Sequence, residues 1–168
     1  MAIWKAAIPA GMTPPELLKF VRTWMKLDLS THESDNPPNK PGGHCIHWHL
    51  NKTEAEIDSR FNEPAFLGKM NSAFDHDEAF VETLLIQAIV EHISDVYDWY
   101  VRPAPKPNLP IEVISNNFPV GKAVLKANRP TAFAVNNYKV VLSMIDKVDP
   151  SVTHNGHSLF VLTAHPIP

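Results

Sequence analysis

Apolar positions along this chain change period part-way. In "TPPELLKFVRTWMKL", residues 13–27, Leu17, Phe20, Val21 and Trp24 fall on one helical face. Thr13 is placed to cap that helix and Pro14 to open it, because a first-turn N–H has no partner to lose. "DLSTHESDNPPNKPGG", residues 28–43, is polar and rich in Pro and Gly and reads as a loop or linker. "TEAEIDSRF" opens with a capping box, Thr53 accepting from the first turn and Glu56 reaching back. "DHDEAFVETLLIQAIVEHISDVYDWYV" starts with a similar pair, Asp75 and Glu78. Its Phe80, Val81, Leu84, Leu85, Ala88, Ile89 and Val96 make a broad apolar stripe, predicting one long core helix. "RPAPKPNLP" ends it, since Pro cannot continue a helix.

Beyond that point the period shortens. "IEVIS", "VGKAVLKA", "TAFAV", "YKVVLSMI" and "SLFVLTA" are short, β-branched and aromatic. Breaks such as "NN" at 136–137 and "HNG" at 154–156 separate them, so they read as strands. Helices first and strands second, without alternation, predict an α+β fold with antiparallel pairing. The linker divides the chain into an N-terminal helical arm, 1–41, and a main domain, 42–168.

Composition adds constraints. The 168 residues suffice for a real core, and 44% hydrophobic with 20% charged residues is ordinary for a globular protein. The single cysteine, Cys45, excludes an internal disulfide, so packing alone must hold the fold. No apolar run reaches the roughly 18 residues of a membrane span. "MAIWKAAIPAGM" has neither the long apolar run nor the basic start of a secretory signal, so none is expected. The net charge of -3 argues against a protein that grips many phosphates at once. The charge is uneven, however. Residues 72–99 carry acidic side chains and no Lys or Arg, whereas 119–168 are mildly basic. An acidic helix face and a basic strand half are expected.

The densest chemistry lies in "HCIHWHL", residues 44–50. His44, Cys45, His47 and His49 are all competent zinc ligands, and in an extended segment His47 and His49 would share a face. No second Cys, HExxH or CxxC accompanies them, and nothing in the pattern brings His154 and His157 to them. Acid–base chemistry without a metal needs less: an imidazole that takes and returns a proton near neutral pH, and a cation for a developing oxyanion. The plain alternative for any one histidine is a hydrogen-bonded residue of a strand or helix.

"GGHCIHWHLNKTEAEIDSRF", "SAFDHDEAFVETLLIQAI", "VGKAV", "KVVLSM" and "FVLTAHP" occur in that order. This series resembles the bacterial ribonuclease A-like toxin domain found at the C-terminus of contact-dependent growth inhibition and other polymorphic toxins. The resemblance spans about Gly42 to Pro166. It implies helices packed on two curved antiparallel β-sheets, ribonuclease A-like without disulfides, with a cleft between them. It also implies metal-independent RNA cleavage after attack by the 2′-OH, with no cofactor, and a cognate immunity protein as partner. The toxin would be delivered to act in the cytoplasm of a target cell. The family's catalytic histidine falls on His49, its phosphate-holding arginine on Arg60 and its last-strand threonine on Thr163. Where the family usually carries tyrosine this chain has His165. Thr163 and His165 would face the same side of a strand, so His165 is expected to meet His49 across the phosphate and share the proton transfers. Lys52, three residues past His49, is a candidate phosphate contact. Ser72 is a candidate for capping the long helix or touching substrate, with capping expected. Trp48 is expected to pack rather than stack on a base. Two other classes remain: a catalytically inactive binding protein on the same scaffold, and a metal-dependent hydrolase using His44, His47 and His49.

Overall fold

The computed structural model describes residues 28–34, 42–114, 117–149, 152 and 159–168. The helix expected over 13–27, the "HNG" break, and His154 and His157 lie outside the described residues. The helices are α1 (Leu29–His32), α2 (Cys45–His49), α3 (Glu54–Ser59), α4 (Glu78–Glu91) and α5 (Ile93–Val101), with a 3-10 turn at Arg60–Asn62. The strands are β1 (Met70–Phe74), β2 (Leu109–Val113), β3 (Gly121–Leu125), β4 (Ala132–Val135), β5 (Asn137–Met144) and β6 (Leu159–Ile167). They form two antiparallel sheets, ordered β1-β3-β4 and β2-β5-β6. The α+β class with antiparallel pairing is as the sequence predicts. The lone Cys45 is a buried free thiol.

Local signals account for most elements. Thr53 and Glu56 form the full reciprocal capping box of α3. Each of the five expected strand segments holds one of β2–β6. Along β5 the alternate residues Tyr138, Val140 and Leu142 are buried, the period of a strand with one face on a core. Three expectations change. The long helix starts two residues later, capped by Asp77, whose carboxylate accepts from the Phe80 N–H. It is also interrupted at His92 (φ -104°, ψ 26°), and this keeps Ile93, Val96 and Trp99 in the same core as Val81, Leu85 and Ile89. And "MNSAF" is strand β1 rather than a helix approach. Asn, Ser and Ala have weak strand preference; pairing with β3, from Met70↔Leu125 to Phe74↔Gly121, decides it.

The main core lies between α4–α5 and sheet β2-β5-β6, where Tyr138 donates its hydroxyl to the Leu84 carbonyl at 2.9 Å. A smaller cluster, Ile57, Phe61, Ala73 and Val124, sits between α3 and sheet β1-β3-β4. Residues 28–34, polar in pattern, pack against both the core and β6. Leu29 is fully buried in the main core, and Glu33 forms a parallel bridge with Gly43.

Candidate active site

The two sheets meet where β1 runs beside β6. The Ser72 hydroxyl donates to the Pro166 carbonyl at 2.7 Å, and Gly121 leaves no room for a Cβ, which would meet Ala73 O at 2.2 Å. Across this seam lies "HCIHWHL". It is not extended; Cys45–His49 form helix α2. A helical turn sends His47 to solvent and His49 inward, so the two do not share a face. Among the described residues the histidines do not converge as metal ligands; the one ligand cluster is Asp28, Glu78 and Glu82. The metal-hydrolase reading therefore loses its geometry.

Helix α2 is too short to be stable alone, and His44 at its N-cap makes no side-chain cap bond. Its cap comes from far away. The Glu33 carboxylate accepts from the N–H groups of Ile46 (2.8 Å) and His47 (3.3 Å). The preceding residue, His32, is buried and accepts the Val161 N–H on Nδ1 at 3.0 Å. His44 N–H donates to Leu162 O at 3.0 Å. Those contacts grip β6 at its one irregularity, where Val141 opposes Thr163 but Leu142 opposes Val161. Residues 32–33 thus fix both the helix that carries His49 and the strand that carries Thr163 and His165.

The side chains so placed surround a cavity of about 200 Å³ that includes His44, His49, Arg60, Asn71, Thr163 and His165. His49 donates Nδ1–H to the Ser72 carbonyl at 2.8 Å, because a carbonyl can only accept. This leaves Nε2 with its lone pair. The His165 ring lies 5.2 Å from the His49 ring, centre to centre, and the His44 ring 6.1 Å. Arg60 lies between Trp48 (4.2 Å to the ring centre) and Phe66 (4.7 Å). Its Nη1 donates to Asn71 Oδ1 at 3.2 Å, and Asn71 is itself fixed by donating to Ile57 O at 2.8 Å. Three buried side-chain atoms among the described residues have no hydrogen-bond partner: Arg60 Nε, Thr163 Oγ1 and His165 Nδ1. All three residues line this cavity. Buried polar groups are nearly always satisfied, so three orphans in one cavity mark a place for a polar ligand.

Electrostatics give that ligand a sign. Burial, followed by Lys139 and Arg60, pushes His165 down to about 4. Burial and then Arg60 push His44 to about 4, and burial carries His49 well below its ordinary value. Burial also lowers Arg60, which remains a cation at working pH. Among the described residues no carboxylate lines the cavity. Neutral imidazoles around one half-buried guanidinium are set to receive an anion.

No protein-family model matches the chain, and no curated protein matches it. Among solved structures it is similar to a chain of the crystal structure of a CdiA-CT/CdiI complex from Y. kristensenii 33638. The two are 27% identical with a TM-score of 0.58, and the match covers 75% of this chain and 100% of that chain. The two chains share a fold.

Of the residues singled out in the sequence, His49, Arg60, Thr163 and His165 come together. Ser72 lines the cavity, but its hydroxyl is spent on Pro166 and its carbonyl holds His49; it does not cap α4. Lys52 lies in a neighbouring cavity of about 180 Å³ with His47 and Glu56, and Arg60 and Trp48 line it too. Trp48 packs on Arg60 as expected. Asn71 and His44 were not assigned these roles from sequence. Asn71 sits 11 residues after Arg60 with no motif around it, and Glu33 and His32 sit in a stretch whose composition reads as linker.

Proposed function

We propose that the chain is a growth-inhibiting toxin domain of the contact-dependent type, and that it cleaves RNA by metal-independent transesterification. The observation that carries the chemistry is the trio of orphaned polar atoms around a cationic cavity that also holds a histidine with a free Nε2. The shared fold with a chain of a CdiA-CT/CdiI complex supports the toxin reading and a cognate immunity partner. His49 Nε2 takes the proton of a ribose 2′-OH as that oxygen attacks the adjacent phosphorus. Arg60 holds the equatorial oxygens as charge builds on them, using the Nε that now has no partner. His165 gives a proton to the departing 5′-oxygen, leaving a 2′,3′-cyclic phosphate and a free 5′-OH. Thr163 directs its hydroxyl to the nucleotide. Lys52, across Arg60, meets the next phosphate of a longer strand.

His165 must be charged to act as the acid, yet in the free protein burial and two cations keep it neutral near pH 7. The substrate phosphate reverses that balance, so the anion loads the acid that its own cleavage needs.

The test is cleavage of a short fluorogenic RNA by the purified chain in excess EDTA, beside His49→Ala and His165→Ala. Cleavage that survives EDTA and disappears with His49→Ala is expected. No cleavage by folded protein would replace this reading with the inactive binding scaffold, and loss in EDTA would restore a metal.

A further inference from the structure

The two sheets have four outer edges, and three are guarded. Strand β1 is covered by the Leu50–Phe74 bridge and the Asn51 N–H to Phe74 O bond at 3.0 Å. Strand β6 carries Pro166, donates its Val161 N–H to His32 and accepts the His44 N–H on Leu162 O. Strand β2 carries Pro110 and Glu112. Strand β4, "AFAV", has no charge and no proline, and no further strand covers it among the described residues. Soluble proteins blunt such edges, because unpaired N–H and C=O groups beside apolar side chains template another strand. Next to β4 opens a cavity of about 460 Å³, lined in part by Glu54, Asp75, His76, Pro119 and Phe133. Phe133 is 38% exposed, and a ladder of rings runs from His76 to Phe80 (4.3 Å) and on to Phe118 (6.0 Å). Among the described lining residues the one Lys or Arg is Lys122. It faces Asp75 at 3.4 Å, so the lining carries more negative than positive charge.

We infer that the β4 edge is a docking site for an extended segment of a partner protein, one that alternates apolar with basic side chains. Main-chain pairing to β4 supplies affinity. The cavity takes an apolar side chain, and Glu54, with the Asp75–Lys122 pair beside it, meets a basic one. The carboxylates disfavour RNA here, in contrast to the cationic cavity at His49, so the two surfaces serve different ligands.

The experiment selects randomised eight-residue displayed peptides on the full chain and measures the enriched peptides by calorimetry. Enrichment of alternating apolar and Lys or Arg positions is expected. Binding should weaken at least about tenfold in Phe133→Lys and in Glu54→Lys, and stay unchanged in His49→Ala. N-methylating alternate peptide amides on one edge should abolish binding, while the other edge tolerates it. Any of these results would overturn the inference: no enriched peptide, peptides indifferent to both lysine variants, tolerance of N-methylation on both edges, or a dimer of the chain that Phe133→Lys dissolves. Single-stranded RNA binding that Phe133→Lys removes would also overturn it, with RNA as the occupant.

Discussion

Arg60 and Arg129 serve the same short stretch of chain and are treated in opposite ways. Arg129 reaches back to α3 and the turn after it, and is well supplied with acceptors. Its Nε donates to Asp58 Oδ1 at 2.6 Å, and its Nη2 to Asp58 Oδ2 at 3.0 Å and to Asn62 Oδ1 at 3.2 Å. Two residues past Asp58, Arg60 is held between two aromatic rings with one bond to a neutral amide. The Glu63 carboxylate stands 4.0 Å from an Nε that donates to nothing. The first arginine is a rivet, since a planar fork on a carboxylate satisfies both charges. The second is a cation whose Glu63 partner stands 4.0 Å away and takes no hydrogen bond from it. Partner count, not residue type, thus separates the structural Arg129 from the Arg60 to which a functional role is proposed.

Several measurements would break or sharpen that contrast. The largest effect falls on His49, Arg60's neighbour in the cavity. His49→Ala should lower kcat/KM by about 10²–10⁴, the range for losing a positioned base, with its secondary structure by circular dichroism unchanged. Arg60→Ala should lower cleavage by about 10²–10³, as for removal of a donor to developing charge. Arg129→Ala should instead lower the thermal midpoint and leave cleavage per folded molecule unchanged. Equal losses of activity in the two arginine variants would erase the distinction.

The next concerns pH. His44, His49 and His165 are pressed below their ordinary value in the folded protein. The unfolded chain therefore binds more protons below the ordinary histidine value of 6.5, down to about 4 for His44 and His165, and the free protein should lose stability as pH falls through that window. Inorganic phosphate should raise the histidine titrations seen by NMR and relieve the loss. Near Arg129 the sign is the usual carboxylate one. Asp58 is lowered by its bonds to Arg129, so its contribution is present above the ordinary Asp range and fades as pH drops below it, with or without phosphate. Histidine titrations indifferent to phosphate would remove the anion from the cavity.

The smallest effect is a gain. Thr163→Val removes a buried hydroxyl without a partner, so it should stabilise the free protein by about 1 kcal/mol in urea unfolding while reducing cleavage. A loss of stability would mean that the hydroxyl is satisfied in solution. Glu33→Gln tests the remote support of the same cavity: weaker capping of α2 should lower kcat more than it raises KM, since His49 is displaced rather than removed.

Several parts of this molecule were legible residue by residue. The capping box at Thr53 and Glu56, the strands from Ile111 onward and the α+β order all show in patterns within a few residues, although β2 starts two residues earlier, at Leu109. His49, Arg60, Thr163 and His165 were nameable from the family resemblance, and the fold then put them around one cavity. The path there was not legible. In "HCIHWHL" the spacing of His47 and His49 would give them one face on a strand. Yet the Glu33 carboxylate, reaching across 13 positions to the Ile46 N–H, caps the segment as a helix.

By itself, the sequence determined where the chain turns, which stretches bury one face, and that no disulfide holds them. Only the tertiary structure decided that "MNSAF" is a strand, that residues 28–34 pack on the core, and that Arg60 rather than Arg129 keeps an Nε without a hydrogen-bond acceptor. The reason is physical. Periodicity and caps act between neighbours in sequence, whereas whether a buried donor finds an acceptor depends on groups brought together from Glu33, Asn71 and Pro166, and no local pattern encodes that distance.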